Sequence, residues 1–342
     1  MNKTKPFLLI TGFLGAGKTT LLRRMLHELR AKNINTDVIL NDYLNANMDV
    51  ATLDPSLLSS VAPLAAGCAC CESLEELVQL CKTAGSGKGD LLLVELNGTA
   101  DPLVLLETFT LLDNRLAYFP RYQVCVIDAR YWGKRNEFEI LERRQLETAG
   151  FWYLSHKNEV PKTDLKRIKE SIRRASNNSR ETNIENLVHT LHIEIKRSKT
   201  VQSRAVSSSH DITRISSRKQ GSLNVKQQYL KDSAHKLSHR FTGCQFPLPD
   251  KVDSKGIQRL MNSLPNWVIR AKALVRIVDK TGFRWLFEKV GNELIQNPIP
   301  TYELPSTPSS LMCIGPKLDP DKLRRLVETE FGIFISPLGD RT

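Results

Sequence analysis

The sequence predicts an α/β protein with a doubly wound, mostly parallel sheet and a second, smaller α+β domain. Two features of the chain support this fold class. Short apolar runs alternate with segments of helical periodicity through the first half of the chain, and a glycine-rich turn joins the first run to the first helical segment. Parallel strands need a crossover connection, which is usually a helix, so this alternation indicates βαβ units.

Each strand of the parallel sheet is expected at a short apolar run. Residues 7–11 form the first run, and residues 19–32 then carry leucines and a methionine at helical spacing. Further strands are expected at residues 37–41, 91–95, 122–128 and 150–155, and residues 187–195 are expected to form the last strand.

A basic segment follows the predicted sheet. Residues 196–240 carry 11 Lys or Arg but only two Asp, within a chain whose net charge is +12, and they contain few large apolar residues. This composition is typical of a solvated linker, and the alternative is a basic arm that contacts nucleic acid or an acidic partner.

A mixed pattern of strands and helices resumes after the linker. Residues 239–246 and 268–278 alternate like strands, and residues 257–264 and 320–331 have helical spacing. The predicted organisation is therefore a first domain at 1–195, a basic flexible linker at 196–236 and an α+β domain at 237–342.

Composition and cysteine usage predict a cytoplasmic protein with no membrane partner. No apolar run approaches the roughly 20 residues of a membrane-spanning helix. The first ten residues superficially resemble a signal peptide, but their apolar run is short, glycine-broken and soon followed by Lys18, so a buried strand is expected. Three of the seven cysteines crowd into residues 68–71, which does not suit a disulfide framework.

The glycine-rich turn has the sequence Gly-Phe-Leu-Gly-Ala-Gly-Lys-Thr, a phosphate-binding loop flanked by a strand and a helix. Glycines let backbone N–H groups curl around phosphate oxygens, Lys18 offers a point charge to the phosphates, and the Thr19 hydroxyl can bind Mg²⁺. The sheet is thus predicted to be that of a P-loop nucleoside triphosphatase. The nucleotide-contacting residues expected here are Gly12, Gly15, Ala16, Gly17, Lys18, Thr19 and Thr20.

A carboxylate ends the apolar run at residues 91–95. Glu95 is placed where P-loop proteins orient water or magnesium beside the terminal phosphate, so Lys18 and Glu95 are the candidate catalytic residues. The alternative for Glu95 is a buried structural carboxylate. The loop that follows contains Gly98 and lies where a nucleotide-sensing switch is expected.

The cluster Gly-Cys-Ala-Cys-Cys-Glu at residues 67–72 is the second informative motif. Thiolates this close together can converge on one metal ion, and zinc prefers sulfur ligands in a tetrahedron. Cys68, Cys70 and Cys71 are therefore candidate zinc ligands. The alternative is three small buried cysteines without a metal.

Taken together, these motifs resemble the CobW-like family of metal-chaperone GTPases. The shared segments are the phosphate-binding loop, Gly-Cys-Ala-Cys-Cys at 67–71 and Glu-Leu-Asn-Gly-Thr-Ala-Asp-Pro at 95–102, in that order. Arg-Ala-Lys at 270–272 and the residues near 312 and 319 are similar to the family's C-terminal domain. The resemblance implies a GTPase whose cysteine motif holds zinc, or cobalt, and whose nucleotide cycle times metal transfer to a client metalloprotein.

Two segments depart from the family pattern. The family's Asn-Glu-Phe-Gly-Glu corresponds here to Asn-Asp-Tyr-Leu-Asn at 41–45, so Asp42 becomes the candidate magnesium ligand together with Thr19. The guanine-recognition motif corresponds to His156-Lys157-Asn158-Glu159, in which Glu159 replaces an aspartate. GTP is therefore expected as the nucleotide, and ATP remains the alternative.

The sequence is compatible with three functions. A nucleotide-dependent metallochaperone uses both motifs, a metal-independent regulatory GTPase leaves the cysteines structural or redox-active, and a nucleic-acid-associated NTPase leaves them without a role. The first is preferred, a nucleic-acid partner is not expected, and a homo-oligomer is compatible with the sequence. No arginine could be assigned to the phosphates, so slow intrinsic hydrolysis is expected.

Overall fold

The computed structural model contains two sheets with helices packed against both. It describes residues 5–42, 46–65, 74–111, 118–176, 179–205, 241–278, 280–301, 308–316 and 318–335.

The first sheet has seven strands, and every pairing in it is parallel. The strand order is β3-β2-β4-β1-β5-β6-β7, so the chain moves outward in both directions from β1, which is the doubly wound arrangement. The strands are β1 (Lys5–Thr11), β2 (Thr36–Asp42), β3 (Ser60–Ala65), β4 (Leu91–Glu95), β5 (Tyr118–Asp128), β6 (Phe151–Ser155) and β7 (Arg180–Glu181).

Helices cover both faces of this sheet, because alternate residues of a buried strand point in opposite directions. Leu8 and Ile10 belong to the core beneath α1 and α7, whereas Phe7 and Leu9 belong to the core beneath α3 and α4. The helices are α1 (Lys18–Ala31), α2 (Ala46–Val50), α3 (Leu74–Gly85), α4 (Pro102–Leu111), α5 (Glu139–Glu147), α6 (Lys162–Ala175) and α7 (Ile184–Ala205).

The predicted strands at 7–11, 37–41, 91–95, 122–128 and 150–155 are confirmed, but the prediction for residues 187–195 was wrong. Those residues lie in α7, where Leu187, Leu191 and Ile195 are buried at four-residue spacing against the core shared with α1. The helix continues to Ala205, so the first ten residues of the predicted linker are helical. Residues 206–236, the rest of the predicted linker, lie outside the described part of the chain.

The second sheet is mostly antiparallel and confirms the α+β prediction for the C-terminal region. Its main path runs β12-β11-β10-β14-β8, with β13 pairing β11 and β9 pairing β10. The strands are β8 (Phe241–Pro247), β9 (Lys251–Val252), β10 (Arg270–Ile277), β11 (Lys280–Val290), β12 (Glu293–Leu294), β13 (Ile299–Thr301) and β14 (Ser310–Pro316), and two helices, α8 (Ser254–Ser263) and α9 (Pro320–Phe331), cover one face.

The other face of the second sheet lies on the first domain. On β14, Leu311 and Cys313 pack under α8 and α9, whereas Met312 and Ile314 pack against Phe13 and other residues of the first domain. On β10, Ala271 and Ala273 belong to the core under the helices, and Leu274 packs against Met48 of α2. The period of two along each strand therefore divides the second sheet into a helix-covered face and a face directed at the phosphate-binding loop.

A buried ion pair crosses this contact. Lys272 shares the face of β10 that carries Leu274 and is fully buried, and its ammonium group donates to both carboxylate oxygens of Asp49 on α2. Glu288 of β11 lies 3.9 Å from the same ammonium group. Because a buried charge is costly unless it is paired, this contact ties α2 to the second sheet.

Replacing Lys272 with methionine is expected to lower the free energy of unfolding by about 3–5 kcal/mol, because Asp49 then stays buried without its lysine partner. The double variant Asp49→Asn/Lys272→Met is expected to regain part of that loss, since it removes both charges. Urea unfolding measures both values.

The matched control is Lys251→Met, at an exposed lysine of the same sheet, which is expected to change stability by no more than about 0.5 kcal/mol. Equal stability of Lys272→Met and Lys251→Met would show that the buried pair does not hold α2 to the second sheet.

Candidate functional site

The phosphate-binding loop, residues 12–19, connects β1 to α1 in a backbone conformation that requires glycine. Gly12 has φ 139° and Gly17 has φ 93°, values that side-chain-bearing residues rarely adopt. A Cβ atom on Gly12 would lie 2.3 Å from the carbonyl oxygen of Val126 in β5, so the loop also fits tightly against the sheet. Ala16 is fully buried, and its N–H donates to the carbonyl oxygen of Phe13 at 3.1 Å.

The charged and hydroxyl side chains of the loop lie at the start of α1. Lys18 is buried, and its ammonium group donates to the carbonyl oxygens of Gly12 at 3.0 Å and Phe13 at 3.4 Å. The ammonium group therefore lies over the loop, at the amino end of a helix, where anions are stabilised. Thr19 is buried beside it, and Thr20 is exposed.

Glu95 meets this loop because β4 and β1 are parallel neighbours and their carboxyl ends lie at the same sheet edge. The Thr19 hydroxyl donates to Glu95 Oε1 at 2.8 Å, and within the described residues Glu95 Oε2 is buried without a hydrogen-bond partner. Burial raises the pKa of Glu95, while Lys18, the Thr19 hydrogen bond, Lys272 and Arg270 act in the opposite direction. A buried carboxylate oxygen without a donor is suited to bind a cation or a water molecule.

These groups line a cavity of about 250 Å³ to which both domains contribute residues. The first domain supplies Gly15, Gly17, Lys18, Thr19, Thr20, Arg23, Glu95 and His156, and the second sheet with its loops supplies Arg270, Glu288, Val290, Ile295 and Ile299.

Gly15 of the phosphate-binding loop packs against the second sheet. This residue has φ 75°, and a Cβ atom on it would lie 2.2 Å from Cγ1 of Val290 at the end of β11. Only a glycine fits between the loop and the second sheet at this position.

Two charged residues of the second sheet lie side by side in the cavity wall. The Arg270 guanidinium donates to Glu288 at 3.3 Å, and both residues are largely buried. Burial opposes ionisation of Glu288, but the charges of Lys272 and Arg270 hold its pKa below the usual value. The part of the cavity lining that the second sheet supplies therefore carries a charged arginine and a charged glutamate.

The candidate base-recognition residues follow β6. His156 has φ 50° and lines the cavity, and its Nδ1 lies 2.7 Å from Glu159 Oε1. Arg130 donates to the other oxygen of Glu159 at 2.9 Å and to Glu293 of β12 at 2.8 Å. The histidine contact, together with Arg130, lowers the pKa of Glu159 although burial acts in the opposite direction. Lys157 is exposed.

Of the remaining predicted site residues, the structure places Gly98 at the phosphate-binding loop and does not describe the side chains of the others. A Cβ atom on Gly98 would lie 2.5 Å from the Leu14 nitrogen, so the loop after β4 packs directly on the phosphate-binding loop. Asp42 ends β2, and its side chain lies outside what the structure describes. The candidate zinc ligands Cys68, Cys70 and Cys71 also lie outside the described residues.

Two further features are absent from the described residues. No group of three or more His, Cys, Asp or Glu side chains there could hold a metal ion. None of the helices there has the length and apolar character needed to cross a membrane.

Sequence analysis did not assign Glu288, Val290, Ile295, Ile299 or Arg23 to the site. Arg23 could have been found, because it lies one helical turn after Thr19. The others come from strands and loops more than 250 residues along the chain, and no motif marks them. Arg270 and Lys272 were named only as part of the family resemblance. Charged residues within an otherwise apolar strand could have identified them, because a buried charge is usually ion-paired or functional.

Comparison with known proteins gives a family match. The protein-family model "CobW/HypB/UreG, nucleotide-binding domain" matches residues 6–183. Among curated proteins, the zinc-regulated GTPase metalloprotein activator 1 of Dictyostelium discoideum is 31% identical over 146 residues, covering 37% of this chain and 30% of the relative. The zinc chaperone CobW of Pseudomonas aeruginosa is 34% identical over 134 residues, covering 36% of this chain and 33% of the relative.

The matched regions thus span about a third of the length of these curated relatives. Among solved structures, the zinc-bound YjiA GTPase from E. coli aligns over 95% of this chain and 98% of that chain, with a TM-score of 0.39 and 18% identity. A superposition this loose adds nothing to the sequence match.

The Gly15→Ala variant is expected to lose about 2–5 kcal/mol of unfolding free energy, from the left-handed backbone and from the clash with Val290. Adding Val290→Ala is expected to recover only the part of that free energy that the clash with Val290 costs.

Gly133→Ala is the matched control, because Gly133 has φ 73° and open space around its Cα. It is expected to lose about 1–2 kcal/mol, with no recovery from Val290→Ala. If Val290→Ala also fails to rescue Gly15→Ala in urea unfolding, β11 does not lie on the loop.

Proposed function

This chain belongs to the CobW/HypB/UreG family of nucleotide-binding proteins, and on that basis we propose that it is a GTP-hydrolysing metallochaperone that delivers zinc to a client metalloprotein. The observation that carries the proposal is the arrangement of Lys18, Thr19 and Glu95 in one buried cluster at the phosphate-binding loop. The names of the curated relatives, a zinc chaperone and a zinc-regulated GTPase activator, support the metal and the nucleotide.

In this proposal the loop binds the phosphates of the nucleotide. Backbone N–H groups at the amino end of α1 and the Lys18 ammonium group stabilise the negative charge of the phosphates. Lys18 exchanges its contacts with the Gly12 and Phe13 carbonyl oxygens for phosphate oxygens, which are stronger acceptors.

Mg²⁺ fits the donor set of this site. The Thr19 hydroxyl and Glu95 Oε1, which lie 2.8 Å apart, present oxygens, and oxygen is the ligand that Mg²⁺ prefers. These two residues would hold the ion directly or through water, with Asp42 as a further candidate. When bound, Mg²⁺ neutralises negative charge on the phosphate oxygens.

The proposed reaction is hydrolysis of the terminal phosphoryl group. A water oxygen attacks the terminal phosphorus, the bond to the bridging oxygen breaks, and the products are nucleoside diphosphate and inorganic phosphate, which receives the water's proton. Glu95 Oε2 accepts a hydrogen bond from the attacking water and orients it, and Lys18 stabilises the charge that develops on the phosphate oxygens.

Zinc is the proposed cargo, and Cys68, Cys70 and Cys71 are its proposed ligands. They follow β3, whose carboxyl end at Ala65 pairs with Asp42 at the end of β2. β3 therefore ends at the sheet edge that also carries Thr11 and Glu95, and in the sequence the cysteine motif starts two residues after Ala65. A metal site joined to that edge can respond to the nucleotide, because the phosphates bind at the same edge.

GTP is proposed as the nucleotide, with Glu159 accepting hydrogen bonds from the guanine edge and His156 beside it. The support is positional: both residues follow β6, and His156 lines the cavity. We also propose that the protein acts in the cytoplasm, where a reducing environment keeps the three clustered thiols available for metal.

The test is to measure nucleotide and zinc affinity on the reduced full-length protein. Lys18→Ala is expected to weaken GTP·Mg²⁺ binding at least about tenfold, because it removes a charge-assisted phosphate contact. Lys32→Ala, at an exposed lysine beyond α1, serves as the control and should bind like the wild type. ATP·Mg²⁺ is expected to bind more weakly than GTP·Mg²⁺.

Zinc affinity is expected to fall in the variant Cys70→Ser/Cys71→Ser and to change with GTP·Mg²⁺ in the wild type only. If zinc affinity is the same in the wild type and the cysteine variant, and the same with and without GTP·Mg²⁺, the metallochaperone proposal fails and a metal-independent GTPase remains. If Lys18→Ala binds GTP·Mg²⁺ as tightly as the wild type does, the proposed nucleotide site at Lys18 is wrong.

A further inference from the structure

The second sheet supplies one wall of the cavity that begins at the phosphate-binding loop, and this wall contains an arginine. Arg270 begins β10 and lines the same cavity as Lys18, although 252 residues of chain separate the two. Arg270 and Arg23 of α1 are the two arginines among the described residues that line the cavity, and Arg270 is the one that the second sheet supplies.

The position of Arg270 is fixed by the strand pattern rather than by a mobile loop. Residues 270, 272 and 274 share the face of β10 directed at the first domain, and Leu274 is anchored there against Met48. Val290, which pairs with Arg270 across β10 and β11, is the residue that meets Gly15. Arg270 is therefore the cross-strand neighbour of the residue that contacts the phosphate-binding loop.

Arg270 is ion-paired with a carboxylate whose place a phosphate group can take. Glu288 lies in the same cavity wall, accepts from Arg270 at 3.3 Å, and also lies 3.9 Å from Lys272. Lys272 keeps its own pair with Asp49, so Glu288 retains a cationic neighbour when Arg270 turns to another anion. Phosphate oxygens bind the guanidinium fork in the same bidentate manner as a carboxylate does.

We propose that Arg270 is a phosphate-binding residue supplied in cis by the second sheet, and that it exchanges Glu288 for the terminal phosphate of the bound nucleoside triphosphate. The inference rests on the proposed nucleotide site at Lys18. It supplies the arginine that could not be assigned to the phosphates from the sequence. An arginine aimed at the terminal phosphate stabilises the charge that develops there during hydrolysis.

The exchange predicts opposite effects for its two partners. Arg270→Gln is expected to lower the hydrolysis rate constant at least about tenfold and to weaken binding of a nonhydrolysable triphosphate severalfold, with the affinity for the diphosphate nearly unchanged. Glu288→Gln removes the competitor for Arg270, so it is expected to tighten triphosphate binding severalfold. A general loss of structure cannot tighten binding, which separates the proposal from a structural role.

Arg276→Gln is the matched control, since Arg276 lies on the same strand and is ion-paired with Asp250 at 2.6 Å away from the cavity. Mant-labelled GDP and a mant-labelled nonhydrolysable GTP analogue, titrated into each full-length variant with Mg²⁺, provide the affinities. Thermal unfolding checks that each variant is folded.

Three results separate the possibilities. Selective loss of triphosphate affinity and rate in Arg270→Gln, with tighter binding in Glu288→Gln, supports the proposal. Identical behaviour of Arg270→Gln and Arg276→Gln, or equal loss for both nucleotides, overturns it while the nucleotide site stands. Absence of nucleotide binding in the wild type overturns the proposed function first, and the inference with it.

Discussion

The buried charges on one face of β10 govern how this molecule is assembled. Arg270 and Lys272 point away from the helices that cover the second sheet, into the contact with the first domain, and neither can remain there without an anion. Lys272 meets Asp49 on α2, and Arg270 meets Glu288 on the neighbouring strand. Of these two pairs, Lys272–Asp49 crosses from the second sheet to the first domain, so the charge on β10 is satisfied only while α2 lies against that sheet.

This arrangement places the second sheet in the cavity itself. Val290 touches Gly15 of the phosphate-binding loop, and Met312 and Ile314 pack on Phe13 of the same loop. The loop is thus packed between β5 on one side and the second sheet on the other. A ligand that shifts the loop must shift its contacts with β10 and β11, which gives the second sheet a physical means to respond to nucleotide.

Much of the first domain is predictable from sequence because its signals are local. The phosphate-binding loop needs glycines at fixed places, and Glu95 ends an apolar strand whose partner is β1. Helix α7 was missed because residues 187–195 form a short, largely apolar stretch, and such a stretch does not distinguish a strand from a helix until its buried partner, the core beneath α1, is known.

The second sheet's part of the site could not be predicted in the same way. Assigning Arg270 and Glu288 to the cavity requires knowing which face of β10 meets the first domain, and that depends on contacts between residues more than 200 positions apart. Val290 carries no chemical signal at all, and its role is visible only through the missing Cβ of Gly15. Such contributions are properties of the packed molecule rather than of any motif.

The most direct test of this account is hydrogen–deuterium exchange of the full-length protein, with and without a nonhydrolysable GTP analogue and Mg²⁺. The account predicts slower exchange on nucleotide binding both in peptides covering residues 12–20 and in peptides covering residues 284–299 of the second sheet. Protection confined to residues 12–20 and the segment after β6, with residues 270–299 unchanged, would contradict the claim that the second sheet forms part of the nucleotide site.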